Sequence, residues 1–192
     1  DIRGIIRAFF VGVANGSFSE GASTITQQLL KNLVFTDWTS ESSFMEKLER
    51  KFQEQYLALK LEENLSKDQI LENYLNTINL GAGTYGVQAA SQRYFNKDVS
   101  ELTLSECAVI AGITQNPTML NPITYPDKNA ERRQIILEKM VEQGYITEEQ
   151  YQEALSDNVY ERIQQVNEEV SNEEDDPYSY YVDALIEQVL EV

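Results

Sequence analysis

The sequence predicts a mostly α-helical domain, and two observations support this. Apolar residues recur at helical spacing along most of the 192 residues. Four segments also carry the capping-box pattern, in which a Ser or Thr and a Gln or Glu three residues later satisfy each other's backbone N–H groups. These segments are Thr24–Gln27, Ser66–Gln69, Thr103–Glu106 and Thr147–Gln150. A hydrophobic share of 42% is ordinary for one globular domain with a core.

These signals place the helices in order along the chain. We expect helices at 2–14, 24–35, 43–63, 67–78, 84–93, 103–113, 128–142 and 147–155. Gly144 fits a C-terminal cap for the helix that precedes it. Asn116-Pro117 and Asn121-Pro122 separate two of the helices, because a residue before proline avoids the helical backbone conformation.

The end of the chain is acidic and differs in character from the rest. Glu168, Glu169, Glu173, Glu174, Asp175 and Asp176 precede Pro177. Such a run is typical of a solvated linker, with a specific cation or partner site as the alternative. We therefore expect a domain at 1–160, followed over 161–192 by an acidic linker and the start of another segment or module.

Composition limits the chemistry that this chain can perform. The net charge of −17 argues against a nucleic-acid partner, because phosphate binding normally needs a basic face. The absence of histidine excludes Ser-His-Asp and Cys-His catalysis from these residues. Cys107 is the only cysteine, and its apolar neighbours predict a buried, unreactive thiol. Acid–base chemistry must therefore use carboxylates.

The first segment with unusual chemistry is the turn and helix start at 20–32. Small residues lead into a helix whose first turns carry hydroxyl and amide side chains. Free N–H groups at a helix N-terminus favour an anion such as phosphate. Gln28, Lys31 and Asn32 follow on one side. A well-capped helix with a polar face explains the same residues, so both interpretations stay open.

The second segment is 47–58, where Lys47, Arg50, Lys51 and Glu54 share one helix face. Two or three cations around one carboxylate favour its ionised form and leave positive charge for a diphosphate. The alternative is an exposed ion-pair ladder, which contributes only about 0.3–0.5 kcal/mol per pair.

Two further segments follow. In 67–90 an amphipathic helix ends in a turn with Gly81, Gly83 and Gly86, which indicates left-handed backbone or close approach to another group. A tight connection between packed helices is the alternative. In 104–122 the sequence predicts a buried helix and a loop fixed by proline, and core structure explains most of it.

Together the four segments resemble consecutive motifs of the peptidoglycan glycosyltransferase family, the polymerase domain of bifunctional penicillin-binding proteins and of monofunctional transglycosylases. The matching residues run in the family's order through 21–28, Arg50-Lys51 with Glu54, 70–76 and 111–117. Residues 1–4 resemble the start of the helix after the family's first motif. Ala22 departs from the family's usual glycine, which puts little in doubt.

This resemblance implies a lysozyme-like helical fold on the outer face of the bacterial cytoplasmic membrane, anchored by an upstream segment. Members polymerise lipid II: the 4-hydroxyl of an incoming lipid II attacks the anomeric carbon of the lipid-linked glycan chain with inversion, and lipid diphosphate leaves. The family's general base is a Glu in a motif upstream of Asp1, so we expect the chain as given to be inactive by itself. The acidic linker suggests that a module, in this family a transpeptidase domain, follows.

Site residues are also implied by the resemblance. Glu54 is the catalytic candidate and organises the leaving group or a metal, with Arg50, Lys51 and Lys31 contacting diphosphate. Thr24, Gln28 and Asn32 line the donor pocket, where moenomycin binds in relatives. Tyr85 and Gln88 are candidates for sugar contacts. The family also implies a divalent cation, Mg²⁺ or Mn²⁺, although no ligand spacing in the sequence indicates one.

Two other functions compete with this one. A lysozyme-like hydrolase would cut glycan strands on a related scaffold with one or two carboxylates. A non-catalytic module would only bind a lipid-linked ligand or a partner. The cationic residues near Glu54 favour the polymerase over the hydrolase, since neutral sugars have no diphosphate to hold.

The segment 29–45 contains many large apolar residues. They fit either a membrane-contacting surface or the core, and both interpretations stay open.

Overall fold

The computed structural model describes residues 23–33 and 44–174, and over these residues the chain forms helices and no strands. The mostly α-helical fold is therefore confirmed. The α-helices are α1 (Ile25–Leu33), α2 (Phe44–Asn64), α3 (Lys67–Thr77), α4 (Val87–Phe95), α5 (Leu104–Ile113), α6 (Pro126–Glu142), α7 (Glu148–Ser156) and α8 (Val159–Glu174), with a 3-10 helix, η1, at Val99–Glu101.

The chain divides into two compact units between Ile78 and Asn79. In the first unit α1 packs against both α2 and α3. Its buried apolar residues include Leu29, Leu30 and Ala58. In the second unit α5 packs against α6 and α7, while α4 packs against α8, α5 and η1. A cluster of Ala108, Leu137 and Ala154 forms part of its core.

The helix starts follow the predicted capping chemistry. All four predicted boxes form: in each, the Ser or Thr oxygen accepts the backbone N–H three residues on, and the Gln or Glu side chain accepts the cap residue's N–H. A fifth box, Asp98–Glu101 at η1, was not predicted. Gly144 follows α6 with φ of +75°, as expected for a C-terminal cap.

Two local predictions, a helix start and the burial of Cys107, need correction, and one predicted helix lies outside the described residues. The helix predicted from residue 84 begins at Val87, because Gly86 has φ of +85° and cannot be helical. The predicted helix 2–14 lies outside the described residues. The prediction of a buried Cys107 is wrong: Cys107 is exposed together with Ala111, which lies one turn later on the same side of α5. Partial burial and the nearby Glu106 carboxylate nevertheless raise the pKa of its thiol.

The acidic run was predicted to be a solvated linker, but its residues 168–174 form the end of the helix α8. The acidic composition obscured apolar residues at helical spacing: Val159 and Ile163 are buried and anchor the helix. The domain boundary at residue 160 stays a prediction, although α8 continues through it.

The membrane-contacting surface suggested for residues 29–45 cannot include Leu29 and Leu30, because both are buried. Leu33 is exposed, and residues 34–43 lie outside the described residues.

The Glu106 carboxylate of the second unit is buried, which the sequence did not predict. Its oxygens accept hydrogen bonds from Lys97 Nζ at 2.8 and 3.1 Å, Arg162 Nη2 at 3.1 Å and the Thr103 backbone N–H at 2.9 Å. Burial alone would raise the pKa of Glu106, but these hydrogen bonds outweigh it and the pKa is lowered. Arg162 also pairs with Asp157, so one network joins α5, α8 and the loop before each.

The glycine turn before α4 is a close packing contact within the second unit. Gly81 has φ of +77°, and a Cβ there would lie 2.7 Å from the Pro117 carbonyl oxygen. Gly83 has a similar φ of +74°, but its Cβ would meet nothing within 4 Å. The interpretation of this turn as a tight connection is therefore supported at Gly81, where the loop after α5 occupies the space.

We expect Gly81→Ala to lower the free energy of unfolding by about 3 kcal/mol, because left-handed backbone strain adds to the overlap with Pro117. Gly83→Ala is the matched control and should lower it by only about 1 kcal/mol, since strain acts alone there. Urea unfolding of the two variants measures the difference. Equal losses would show that the space around Gly81 can adjust.

We expect Glu106→Gln to lower the free energy of unfolding at neutral pH by about 2 kcal/mol, discounted because Lys97 and Arg162 stay partly hydrated. A lowered folded-state pKa contributes stability that is present above the unfolded value near 4.5 and lost as the pH falls through the folded value. The gap between wild type and variant should therefore shrink as the pH is lowered below about 4.5.

Urea unfolding between pH 7 and pH 3 tests this expectation. Glu142→Gln is the control, because it breaks an exposed ion pair with Lys139 and should change stability by less than about 0.5 kcal/mol. A gap between wild type and Glu106→Gln that stays constant with pH would contradict the assignment.

Candidate active site

The most unusual feature of the first unit is the carboxylate of Glu54, which is 2% exposed. Arg50 Nη1 lies 2.5 Å from one of its oxygens and Lys51 Nζ lies 2.6 Å from the other. All three side chains project from one face of α2, as their sequence spacing predicted. The two cations remain 21% and 32% exposed, so the exposed-ladder alternative fails for the carboxylate but the positive groups still reach solvent.

Two contacts join α1 to this cluster. Lys51 Nζ lies 3.5 Å from Ser23 Oγ, just before α1. Gln27 is buried, and its Nε2 donates to Gln55 Oε1 on α2 at 3.0 Å while its Oε1 accepts the Thr24 N–H. The start of α1, with its N–H groups, is thereby held beside the cationic face of α2. Thr24 belongs to this cap, and its hydroxyl oxygen accepts the Gln27 N–H at 3.2 Å.

The remaining predicted residues of α1 differ in their surroundings. Gln28 is half-buried, and its Oε1 accepts a hydrogen bond from the Tyr74 hydroxyl of α3 at 3.2 Å. Lys31 and Asn32 are exposed, and neither side chain forms a hydrogen bond or ion pair with another residue in the described part of the chain. The structure thus connects Gln28 to Lys51 through Ser23, and it places Thr24 in the cap that Gln27 joins to α2. Lys31 and Asn32 are exposed in the last turn of α1.

The two predicted sugar-contact residues lie in the second unit. Tyr85 is 65% exposed, on the turn between Asn79 and α4. Gln88 lies in the first turn of α4, and its Oε1 accepts the Val99 N–H of η1 at 3.1 Å. Gln88 therefore has a local structural role, and its role in binding sugar stays a prediction.

Sequence reasoning missed three polar residues of the first unit. Thr26 is buried and donates to Glu62 Oε1 at 2.6 Å, Gln55 bridges to Gln27, and Tyr74 bridges to Gln28. The available signal was position: Thr26 and Gln55 lie next to or near predicted site residues, and Tyr74 lies within a family motif. Which side chains meet across helices depends on how the helices pack, and spacing along one helix does not specify that.

The described residues do not fit a metal at this site. No group of three or more His, Cys, Asp or Glu side chains among residues 23–33 and 44–174 could hold a metal ion. Both oxygens of Glu54 are already paired with cations. A divalent cation at Glu54 would have to compete with two positive groups, which Coulomb repulsion disfavours.

A helical fold with a paired carboxylate beside a capped helix start defines a class of domain suited to bind an anionic group. The family model described as Transglycosylase matches residues 1–141, and the chain belongs to that family. This membership agrees with the resemblance in the sequence and with a lysozyme-like helical fold.

Three curated relatives are named Penicillin-binding protein 1A. The chain is 47% identical to the one from Haemophilus influenzae over 83% of this chain and 18% of that protein. It is 46% identical to the one from Aquifex aeolicus, over 79% of this chain and 20% of that protein. It is 47% identical to the one from Clostridium perfringens, over 81% of this chain and 23% of that protein. The chain therefore spans about a fifth of the length of these relatives.

A solved structure is also similar. The crystal structure of Penicillin-Binding Protein 1A from Haemophilus influenzae matches 50% of this chain and 14% of that chain, at 45% sequence identity and a TM-score of 0.48.

Proposed function

We propose that this chain is the larger part of a peptidoglycan glycosyltransferase domain that polymerises lipid II into glycan strands. The observation that carries this proposal is the Glu54 carboxylate, buried between Arg50 and Lys51 beside the start of α1. The transglycosylase family supports the same reaction class.

The reaction joins two lipid-linked sugars. The 4-hydroxyl oxygen of an incoming lipid II forms a bond to the anomeric carbon of the growing chain, the bond from that carbon to the diphosphate oxygen breaks with inversion, and the hydroxyl proton passes to a base. The base is proposed to be a Glu upstream of Asp1. Departure of lipid diphosphate needs positive charge at the leaving oxygens. Arg50 and Lys51 supply it, and Lys31 is a further exposed cation in the last turn of α1.

Glu54 contributes by holding these cations in place. Both of its oxygens bind the cationic groups directly, so it fixes the positions of Arg50 and Lys51 before substrate arrives. Groups that are positioned in advance need no rearrangement when charge develops on the leaving diphosphate. Thr24 and Gln28 near the start of α1, and Asn32 in its last turn, would line the same donor pocket.

Cofactor, location and partners extend this proposal. A divalent cation, Mg²⁺ or Mn²⁺, stays part of the proposal. Its ligands would include the substrate or residues outside 23–33 and 44–174, and no step of the reaction is assigned to the cation. Action on the outer face of the cytoplasmic membrane, with lipid II, a lipid-linked glycan chain and the membrane surface as partners, follows from the proposed substrate. A transpeptidase domain in the same protein is supported by the relatives' names. None of the helices in 23–33 and 44–174 combines the length and the apolar character that a membrane-spanning helix needs.

The cluster also bears on the two competing functions. A hydrolase acting on neutral glycan has no diphosphate leaving group, so it gives no reason to keep two cations together at a buried carboxylate. A binding module would use the same cations without turnover. Activity measurements separate these two alternatives from the polymerase.

We expect Glu54→Gln, in the complete gene product, to abolish lipid II polymerisation while the fold is retained, because a neutral amide cannot hold both cations. The measurement is glycan polymer formed from lipid II, with circular dichroism to confirm the helical content. Glu63→Gln is the matched control on the same helix, since it removes only an exposed ion pair with Lys60. A near-normal rate for Glu54→Gln would reduce Glu54 to a structural ion pair.

We expect this chain alone to bind lipid II without polymerising it, and the complete gene product to polymerise it, because the proposed base lies upstream of Asp1. Polymer formation and lipid II binding are measured for both proteins. Polymer from this chain alone would refute the upstream base. Binding by both proteins with polymer from neither would favour the binding module.

A further inference from the structure

Tyr74 links α3 to the predicted substrate-binding residue Gln28. The Tyr74 ring is buried, with 8% of the residue exposed, and its hydroxyl lies 3.2 Å from Gln28 Oε1. Burial raises the pKa of Tyr74, so the hydroxyl keeps its proton at neutral pH and donates the hydrogen bond. The Gln28 carbonyl oxygen is therefore directed toward α3.

The other end of the Gln28 amide faces the α1 start. Its Nε2 lies 3.4 Å from the Ser23 carbonyl oxygen, and Ser23 Oγ is also the atom 3.5 Å from Lys51 Nζ. This orientation is consistent at both ends, because a reversed amide would place its oxygen against the Ser23 carbonyl. Nε2 carries two N–H groups, and the hydrogen bond to the Ser23 carbonyl oxygen uses only one of them.

The orientation of this amide determines what it offers a ligand. A donating N–H attracts the oxygens of a diphosphate, whereas a carbonyl oxygen repels them. A half-buried glutamine with no partner for its oxygen could present either group. The Tyr74 hydroxyl removes that choice by binding the oxygen.

We propose that Tyr74 is a positioning residue that holds the Gln28 amide with its N–H groups toward the diphosphate of the lipid-linked substrate. This inference rests on the proposed function, since Gln28 acts on substrate only if the site binds lipid II. Tyr74 itself touches no reacting atom and acts through Gln28.

The first test is Tyr74→Phe in the complete gene product, which removes the hydroxyl and keeps the buried ring. Loss of one orienting hydrogen bond should raise the KM for lipid II about fivefold, with kcat changed less than twofold. Tyr56→Phe is the matched control in the same unit: Tyr56 is exposed on α2, and its KM should stay at the wild-type value. Thermal unfolding of both variants shows whether the fold is retained.

The second test is a double-mutant cycle with Gln28→Ala. If Tyr74 acts through Gln28, Tyr74→Phe should have no further effect on KM once Gln28 is alanine. The same fivefold rise in both backgrounds would overturn the inference, as would a fall in stability with KM unchanged. A wild-type protein that polymerises lipid II while Tyr74→Phe keeps its KM overturns the inference alone. A wild-type protein that forms no polymer overturns the proposed function and this inference together.

Discussion

Burial of the Glu54 carboxylate is the constraint that organises the first unit. Removing an ionised carboxylate from water costs several kcal/mol unless cations and hydrogen bonds replace the lost hydration. Arg50 and Lys51 do so from the preceding turn of the same helix, because residues three and four apart share a helix face. The start of α1 then packs beside them through Gln27 and Gln55, so the cluster and the capped helix start form one polar surface.

The buried carboxylate of the second unit has a different role. Glu106 draws its cations from the loop after α4 and from α8, at Lys97 and Arg162, and it caps its own helix through the Thr103 N–H. Its hydrogen bonds therefore join separate elements and stabilise the fold. Glu54 forms its ion pairs with Arg50 and Lys51 of its own helix α2, so these pairs do little to hold helices together. The stability of the fold explains why Glu106 is buried among cations, whereas the proposed chemistry explains why Glu54 is.

Much of the helical fold and part of the candidate site could be predicted. Capping boxes and the Arg50, Lys51 and Glu54 spacing depend on residues within four positions of each other, and both appeared as expected. The errors at Cys107 and at α8 have one source. An apolar run does not show which side of a helix faces solvent, and an acidic run does not show whether Val159 and Ile163 find a surface to pack against.

The sequence by itself determined where the four capping-box helices begin, which residues share the cationic face of α2, and the family to which the motifs point, because these properties depend on local spacing and residue type. Only the tertiary structure decided that Glu54 is buried, that Gln27 meets Gln55, and that the Tyr74 hydroxyl meets Gln28 across 46 residues of sequence. The reason is physical: burial and contacts between helices depend on which faces pack together, and neither is specified within a single helix.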